Sequence, residues 1–449
     1  MQTSYPITEM PHTRANGHTA LPDIDVTADA SLAARYQEVR RFSEKLCEPL
    51  VAEDYVIQSM PDASPTKWHM AHTSWFFETF VLKAALPEYS SLHPQYDFLF
   101  NSYYNSIGAR HCRPKRGLLS RPTVEEMYRY REYVDRRMME LLTSAGEDRL
   151  PELAPVVVLG LHHEQQHQEL MLTDIKHVFA QNPLRPAYCQ QEPAQSHSTP
   201  PLQWIEFAEG IHEIGHDGQG FAFDNEGPQH RELVQGFQLA SRLVTNGEYL
   251  AFMEDGGYLR PEYWLSLGWT AVQENGWQAP FYWEKRDGRW WLMTLAGMRE
   301  VDESEPVCHV SYFEADAYAH WAGARLPTEA EWEVASAGVP INGNFVGNDC
   351  YHPMALLDES SLITHHLSPI TQMFGDVWEW TRSPYSPYPG YAPVAGALGE
   401  YNGKFMCNQY VLRGGSCATS RSHIRRTYRN FFAPDARWQF AGMRLAKDV

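Results

Sequence analysis

The chain has 449 residues, of which 43% are hydrophobic and 21% charged, so it is long enough for two or three ordinary globular domains. Its formal net charge of −19 argues against nucleic acid or a membrane surface as a partner, because both attract basic patches. No apolar run could span a bilayer and no signal peptide is evident, so a cytoplasmic location is expected. The seven cysteines are scattered and none forms C-x-x-C, so no disulfide framework is expected.

The first half of the chain is predicted to be a helical bundle. Residues 1–30 are polar and aperiodic, and they are expected to form a mobile tail. Helical spacing of apolar residues then predicts four long helices, in "SLAARYQEVRRFSEKLCEPL", "SPTKWHMAHTSWFFETFVLKAAL", "RPTVEEMYRYREYVDRRMMELLTSA" and "LAPVVVLGLHHEQQHQELMLTDIKHVFAQN". Ser64 and Pro65 are expected to begin the second helix, which ends near Leu86, and Thr123 with Glu126 should form a capping box on the third. Long helices over residues 31–182 predict a bundle whose sites lie between facing side chains.

The second half has a different character. Residues 183–204 are rich in Pro, Gln and Ser and are predicted to be a linker. Residues 205–449 contain short strand-like runs, glycine turns and many tryptophans, with brief helices in "TNGEYLAFMEDG" and "SYFEADAYAHWAGA". The predicted fold class is therefore α+β, with a helical bundle followed by an irregular domain.

The fourth helix carries His163-Glu164-Gln165-Gln166-His167, which has the H-E-x-x-H pattern of zinc metalloproteases. His163 and His167 lie four residues apart, so they share a helix face and can bind one metal ion, although two ordinary polar positions would look the same. The extended zinc pattern fails, because Leu170 and Thr173 stand where it requires Gly and His. A downstream carboxylate, Glu192, lies in the predicted linker, which is a poor platform for a ligand.

A better third ligand lies on the second helix, where His69 and His72 are three residues apart. Either histidine could meet His163 and His167 across the bundle. Three imidazole nitrogens leave coordination positions open, as in catalytic zinc or non-haem Fe(II) sites, and the residues alone do not choose between these metals.

Longer motifs resemble a known family. "HMAHTSWFFE" and "LGLHHEQQHQEL" resemble the DinB-like helical domain of the sulfoxide synthases of ergothioneine biosynthesis. "RLPTEAEWEVA", "FGDVWEW" and "LRGGSCATS" resemble the formylglycine-generating-enzyme-like domain, which is related to the C-type lectin fold. The resemblance implies an enzyme that uses Fe(II) and O2 to join the sulfur of a cysteine-type thiol to C2 of the imidazole of hercynine, giving a sulfoxide.

The resemblance also implies roles for individual residues. His72, His163 and His167 match the three iron ligands, which leaves His69 as a supporting or structural residue. Gln166 resembles the glutamine that faces hercynine. In "NSYYNSIGARHCRPKRG", the adjacent tyrosines and two arginines match the loop that carries the catalytic phenol and holds substrate carboxylates; these are Tyr103, Tyr104, Arg110 and Arg113, with Tyr104 assigned the redox and acid role.

Departures from the pattern bear on the substrate. Thr419 and Ile424 stand where formylglycine-generating enzymes have the cysteines of their copper site, so that activity is not expected. Family members that use γ-glutamylcysteine continue the "R-N" turn with Trp-Asp, whereas this chain has Asn430, Phe431 and Phe432. The missing acid favours free cysteine. A selenosugar donor or a metal-binding scaffold without C–S chemistry are the alternatives.

Aromatic residues are candidates for binding the trimethylammonium group of hercynine, which cannot donate a hydrogen bond. Phe431 and Phe432 are candidates for this role, and core packing is the alternative. Trp378 and Trp380 are also candidates, but core packing is the preferred interpretation for both.

Overall fold

The structure is a computed structural model that describes residues 31–146, 149–191, 199–356 and 369–449. The predicted tail at residues 1–30, Glu192 and the middle of the predicted linker lie outside the described residues. No helix within these ranges combines the length and the apolarity needed to cross a membrane. All seven cysteines are free, as predicted.

The first half folds into a helical bundle. Its helices are α1 (Leu32–Cys47), α2 (Thr66–Phe77), α3 (Lys83–Ala85), α4 (Tyr96–Phe100), α5 (Val124–Ser144) and α6 (Leu150–Gln181). The long helices α1, α2, α5 and α6 pack against one another around an apolar core, which confirms the predicted bundle.

The sequence predicts side-chain caps at the starts of two bundle helices, α5 and α2, and the structure confirms the first of them. Thr123 and Glu126 form the predicted capping box on α5, since each side chain bonds the other residue's backbone N–H. The expected cap at Ser64 is wrong, because Pro65 occupies the cap position of α2. The Ser64 N–H instead donates to Asp174, and the Ser64 hydroxyl accepts a hydrogen bond from Arg116. The N–H and the hydroxyl of Ser64 are therefore hydrogen-bonded to residues distant in the chain, and the hydroxyl does not cap the helix.

The second helix continues past α2 through a π-helical turn at Glu78–Leu82 before α3. Helices α2 and α6 approach closely at Gly160. A Cβ atom there would lie 2.5 Å from the Phe77 ring and 2.9 Å from the Phe76 ring. This close packing brings the histidines of α2 against those of α6.

The second half contains small sheets joined by loops and short helices. Its helices are α7 (Asn246–Glu254), α8 (Ser266–Asn275), α9 (Tyr312–Trp321) and α10 (Glu329–Ala335). Its strands are β1 (Trp204–Phe207), β2 (Gly210–Ile214), β3 (His230–Val234), β4 (Phe237–Ala240), β5 (Trp283–Arg286), β6 (Arg289–Thr294), β7 (Gly297–Glu300), β8 (Trp378–Pro384), β9 (Tyr410–Arg413), β10 (Asn430–Phe432), β11 (Ala441–Gly442) and β12 (Ala446–Asp448). Helices α7 and α9 are the two that the sequence predicts, whereas α8 and α10 were not predicted.

The strands form sheets of order β1-β4-β12, β10-β9-β8-β11, β2-β3 and β5-β6-β7. Most neighbours are antiparallel, and β8 pairs with β11 in parallel. The predicted α+β class is therefore confirmed. The described start of the linker is packed rather than free, because the Tyr188 N–H donates to Leu295 O and its hydroxyl donates to Leu46 O.

Candidate metal centre and substrate pocket

Three histidines of the bundle converge on one point. His72 on α2 and His163 and His167 on α6 each offer a ring nitrogen, and these atoms lie within 4.8 Å of one another. The Nε2 atoms of His72 and His163 are 3.2 Å apart. Two nitrogens bound about 2.1 Å from one ion on perpendicular bonds would lie roughly 3 Å apart, so the spacing fits a shared metal ion.

The protonation of these rings also suits metal binding. Burial is the main cause that lowers the pKa of His163 to about 4 and holds the pKa of His72 and His167 well below the ordinary value. The rings are therefore neutral near pH 7, with a lone pair available to a metal ion.

Two of the three rings are oriented by other groups. The Nδ1–H of His72 donates to Phe100 O at 2.5 Å. The Nδ1 of His167 lies 2.8 Å from Nδ1 of His69, whose Nε2 lies 2.9 Å from Asp174. If His167 binds a metal through Nε2, its Nδ1–H donates to His69, and His69 donates to the carboxylate. Such chains fix the tautomer and make the ligand more basic.

The glutamate of the H-E-x-x-H pattern does not face the histidines. Glu164 is buried in the bundle, where it contacts Arg40 at 2.8 Å and Arg131 at 2.7 Å and accepts a hydrogen bond from Ser43. Its carboxylate is fully engaged there, so it cannot act as the general base of a zinc protease. Of the H-E-x-x-H residues, His163 and His167 can therefore bind a metal ion, whereas Glu164 cannot assist at the metal.

A cavity of about 270 Å³, here called the polar pocket, opens onto the three histidines. Both halves of the chain line it. The first half contributes the histidines and the loop that carries Tyr103 and Tyr104, here called the tyrosine loop, and the second half contributes β10. Arg113 and Arg116 line it from the loop that follows the tyrosines. The pocket can therefore place charged, hydrogen-bonding substrates beside a bound metal ion.

The loop arginines differ from the prediction. Arg110 is exposed, donates to Ser102 O at 2.5 Å and is not among the residues that line the polar pocket. Arg116 was not predicted, yet it is buried and its guanidinium lies 3.2 Å from the centre of the Trp68 ring. Within the described residues, it forms no ion pair with a carboxylate, and burial lowers its pKa to about 9. The sequence signal that could have identified Arg116 is its place in the run R-P-K-R, three positions after the predicted Arg113.

The two adjacent tyrosines occupy different surroundings. Tyr104 is buried, lines the polar pocket and packs its ring near Trp75 and Phe80. Its hydroxyl has no hydrogen-bond partner among the described residues, and burial raises its pKa above the ordinary value. The Tyr103 hydroxyl accepts a hydrogen bond from Arg113 at 2.6 Å. Tyr104 is thus the tyrosine whose hydroxyl is uncommitted.

The remaining predicted residues also lie at the polar pocket. Gln166 donates to the Tyr428 hydroxyl at 2.8 Å, which fixes its amide. Asn430, Phe431 and Phe432 form β10, and the Phe431 ring stacks on Tyr385 with centroids 4.1 Å apart. The structure therefore brings these four residues together with the three histidines, although they are separated by up to about 360 positions in the chain.

Both tryptophans are buried and pack in the apolar core of the second half. Trp380 donates to Val310 O, whereas Trp378 lines the polar pocket and donates to Glu169 at 2.7 Å. Thr419, at one expected copper-ligand position, donates to the same Glu169 carboxylate at 2.7 Å. One of the two expected copper-ligand positions is thus engaged by a carboxylate from α6.

Comparison with known proteins matches both halves. The DinB superfamily model matches residues 35–171, and the sulfatase-modifying factor enzyme 1-like domain model matches residues 190–361 and 367–449. Over 87% of its length the chain is 33% identical to the hercynine oxygenases of Mycolicibacterium thermoresistibile and Mycobacterium tuberculosis, covering 88% and 92% of those proteins. It is also 27% identical to the formylglycine-generating enzyme of Streptomyces coelicolor, over 52% of this chain and 84% of that protein.

Proposed function

The chain belongs to the hercynine oxygenase family, and from this premise we propose that it uses Fe(II) and O2 to join the sulfur of cysteine to C2 of the hercynine imidazole. One atom of O2 enters the product as a sulfoxide and the other leaves as water. The electrons released by forming the C–S bond and oxidising the sulfur are those that O2 accepts. The observation that carries the proposal is the buried three-histidine cluster, which opens onto a pocket that also holds Tyr104.

Iron held by His72, His163 and His167 would supply the redox chemistry with O2 and keep the sulfur as a thiolate. The residues of the pocket contribute by bringing the reactants together. In well-oriented reactions, such proximity lowers the barrier by roughly 7–11 kcal/mol. The rigid placement of the histidines on packed helices suits that role.

Tyr104 is the proposed donor of a proton or an electron to the reacting oxygen. Burial raises the pKa of its hydroxyl, so the group keeps its proton at neutral pH. A protonated phenol with no hydrogen-bond partner in the described part of the chain is free to donate to a reactant. Tyr103 has a supporting role in this proposal, because its hydroxyl is bound by Arg113.

The polar pocket offers groups that match each substrate. Arg113 and Arg116 present guanidinium groups to the carboxylate of the cysteine substrate. Arg116 is buried and has no carboxylate partner among the described residues, which favours the binding of an anion there. Gln166 and Asn430 can bond hercynine. The rings of Phe431 and Phe432 offer faces to its trimethylammonium group, an interaction of up to about 2 kcal/mol when desolvated.

Phe432 bears on the identity of the sulfur donor. It lines the polar pocket, and the family resemblance puts it at the position where members that use γ-glutamylcysteine carry an acid. An apolar side chain leaves the ammonium group of the dipeptide without a counter-charge, so free cysteine is the proposed donor.

An assay of the iron-loaded protein with hercynine and O2 tests the function and the donor. Cysteine, γ-glutamylcysteine and a selenosugar are offered in parallel, and the products are identified by mass. We expect the cysteine sulfoxide, with a higher kcat/KM for cysteine than for the dipeptide. Absence of any C–S or C–Se product would overturn the function, whereas a preference for the dipeptide would overturn only the role of Phe432.

Replacement of a ligand tests the metal centre. We expect His72→Ala to lose most of its bound iron and its activity while the bundle stays folded, measured by metal analysis and circular dichroism. His69→Ala is the matched comparison and should retain more iron, because His69 only supports His167. Full iron occupancy in His72→Ala would contradict the assignment.

Removal of one oxygen atom tests the phenol. Tyr104→Phe should keep its packing and consume O2, but its product should shift from the sulfoxide toward cysteine sulfinic acid. Tyr103→Phe is the control and should retain most of the sulfoxide. An unchanged sulfoxide yield from Tyr104→Phe would exclude this residue from the chemistry and point to Tyr103.

A further inference from the structure

A second cavity of about 610 Å³, here called the apolar passage, also reaches His163 of the metal centre. One wall is a single face of α6, which runs from the exposed Pro151 and Pro155 to His163 and Gln166. His163 lies twelve positions after Pro151 on the helix, which corresponds to about 18 Å. The passage therefore connects the protein surface with a proposed metal ligand.

The opposite wall comes from two loops of the second domain. These loops contribute Phe221, Phe223, Val394 and Leu398. Tyr104, His163, Gln166, Phe223, Tyr401 and Asn402 line both the apolar passage and the polar pocket. The two cavities therefore meet at the uncommitted Tyr104 and at His163.

The lining of the passage does not suit a charged substrate. Among the described residues, no arginine or lysine lines it, whereas Arg113, Arg116 and Arg429 line the polar pocket. The acidic residue at its wall, Asp224, already accepts hydrogen bonds from Asn402 and Tyr391. An amino-acid carboxylate would lose its hydration in the passage without gaining a partner.

A nearby cation does not change this conclusion. Arg425 lies behind the rings of Phe221 and Phe223, at 5.1 and 5.5 Å from their centres. Its guanidinium is paired with Glu226 at 2.6 Å. The wall that faces the passage is therefore the apolar rings.

We propose that the apolar passage delivers O2 to the metal centre while the polar pocket holds the two amino-acid substrates. The inference rests on the proposed function, which requires O2 as the third reactant. Apolar cavities in proteins are stable without water and accept small apolar molecules. A separate apolar route lets O2 arrive after the polar substrates have closed the polar pocket.

Narrowing the passage from either wall tests the route. Ala154→Phe on α6 and Leu398→Phe on the facing loop place a ring in the passage, and Leu153→Phe enlarges a neighbouring half-buried side chain that does not line it. With saturating hercynine and cysteine, we expect both passage variants to lower kcat/KM for O2 on the order of tenfold, with the KM values of both substrates unchanged. Leu153→Phe should match the unmodified protein.

A raised KM for hercynine with unchanged O2 dependence would overturn the proposal, as would an equal loss in Leu153→Phe. Xenon provides a readout without turnover, so it separates a failure of the route from a failure of the proposed function. Crystals under xenon pressure should show the gas in the passage, and Ala154→Phe should reduce its occupancy. A passage that takes no xenon would contradict an apolar gas route even in an active enzyme.

Discussion

Two carboxylates on opposite sides of α6, Glu164 and Glu169, have opposite electrostatic surroundings. Glu164 faces the bundle, where the guanidinium groups of Arg40 and Arg131 compensate its charge. Glu169 lies five residues further, roughly 140° around the helix, and faces the second domain. There it accepts hydrogen bonds from neutral donors, the indole of Trp378 and the hydroxyls of Ser416 and Thr419.

The pKa values of the two groups move in opposite directions. Burial alone would raise the pKa of Glu164, but Arg131 and Arg40 hold it down to about 2. Burial raises the pKa of Glu169, and its neutral donors offset only part of that effect. The bundle therefore stabilises a permanently charged carboxylate, whereas the interface between the domains holds an ionisable carboxyl group that has no counter-charge among the described residues.

The bundle side should show the larger effect on stability. Glu164→Gln removes the buried carboxylate that two buried guanidinium groups share and leaves them only their more exposed partners, Asp135 and Glu44. We therefore expect a loss of about 3 kcal/mol in the free energy of unfolding. Urea denaturation at neutral pH measures this loss. Glu140→Gln removes an exposed pair with Arg137 and should change stability by about 0.5 kcal/mol or less. Equal changes in unfolding free energy for the two variants would contradict the prediction that the buried ion pairs stabilise the fold more than the exposed pair.

Acid should remove the contribution of Glu164. Its folded pKa is depressed, so its stabilisation is present above the unfolded value of 4.5 and is lost as the pH falls toward about 2. The gap in unfolding free energy between the unmodified protein and Glu164→Gln should therefore shrink by about 3 kcal/mol across that range. Denaturation at a series of pH values measures the gap, and a constant gap would contradict the charge compensation.

The contribution of Glu169 to the free energy of unfolding should depend on pH in the opposite direction and should be smaller than that of Glu164. Because the folded pKa of Glu169 is raised, its contribution is fully present below 4.5 and is lost as the pH rises through the folded value. We expect Glu169→Gln to cost about 1 kcal/mol at the acidic end, with the cost disappearing toward neutral pH. The same denaturation series provides the measurement. A cost that grows with pH would mean that Glu169 has a cationic partner.

A contact between Glu400 of the second domain and the tyrosine loop should influence which product forms, while its loss should leave the free energy of unfolding nearly unchanged. The Glu400 carboxylate accepts hydrogen bonds from the backbone N–H groups of Asn105 and Ser106, directly after Tyr104. Glu400→Ala should loosen this turn and raise the share of sulfinic acid in the product, with stability unchanged within about 0.5 kcal/mol. Product analysis by mass checks the ratio. Glu274→Ala, at an exposed site elsewhere in the domain, should leave the ratio unchanged.

Much of the candidate site could be predicted because its signals are local. The spacing of His163 and His167 places both on one helix face whatever surrounds the helix, and Thr123 with Glu126 forms its capping box within four residues. The longer motifs predicted the two-domain order, which both family matches confirm. The roles of Tyr104, Gln166 and Phe432 remain predictions, although all three lie at the polar pocket.

By itself, the sequence determined the bundle helices, the α+β class and the residues able to bind a metal, because helical periodicity and capping depend on neighbours within a few positions. Only the tertiary structure decided that Glu164 turns away from the histidines, that Ser64 does not cap α2, and that Arg116 rather than Arg110 lines the pocket. Each of these outcomes depends on a partner distant in the chain. A buried polar group takes the partner that satisfies it in the folded protein, and local spacing does not encode that choice.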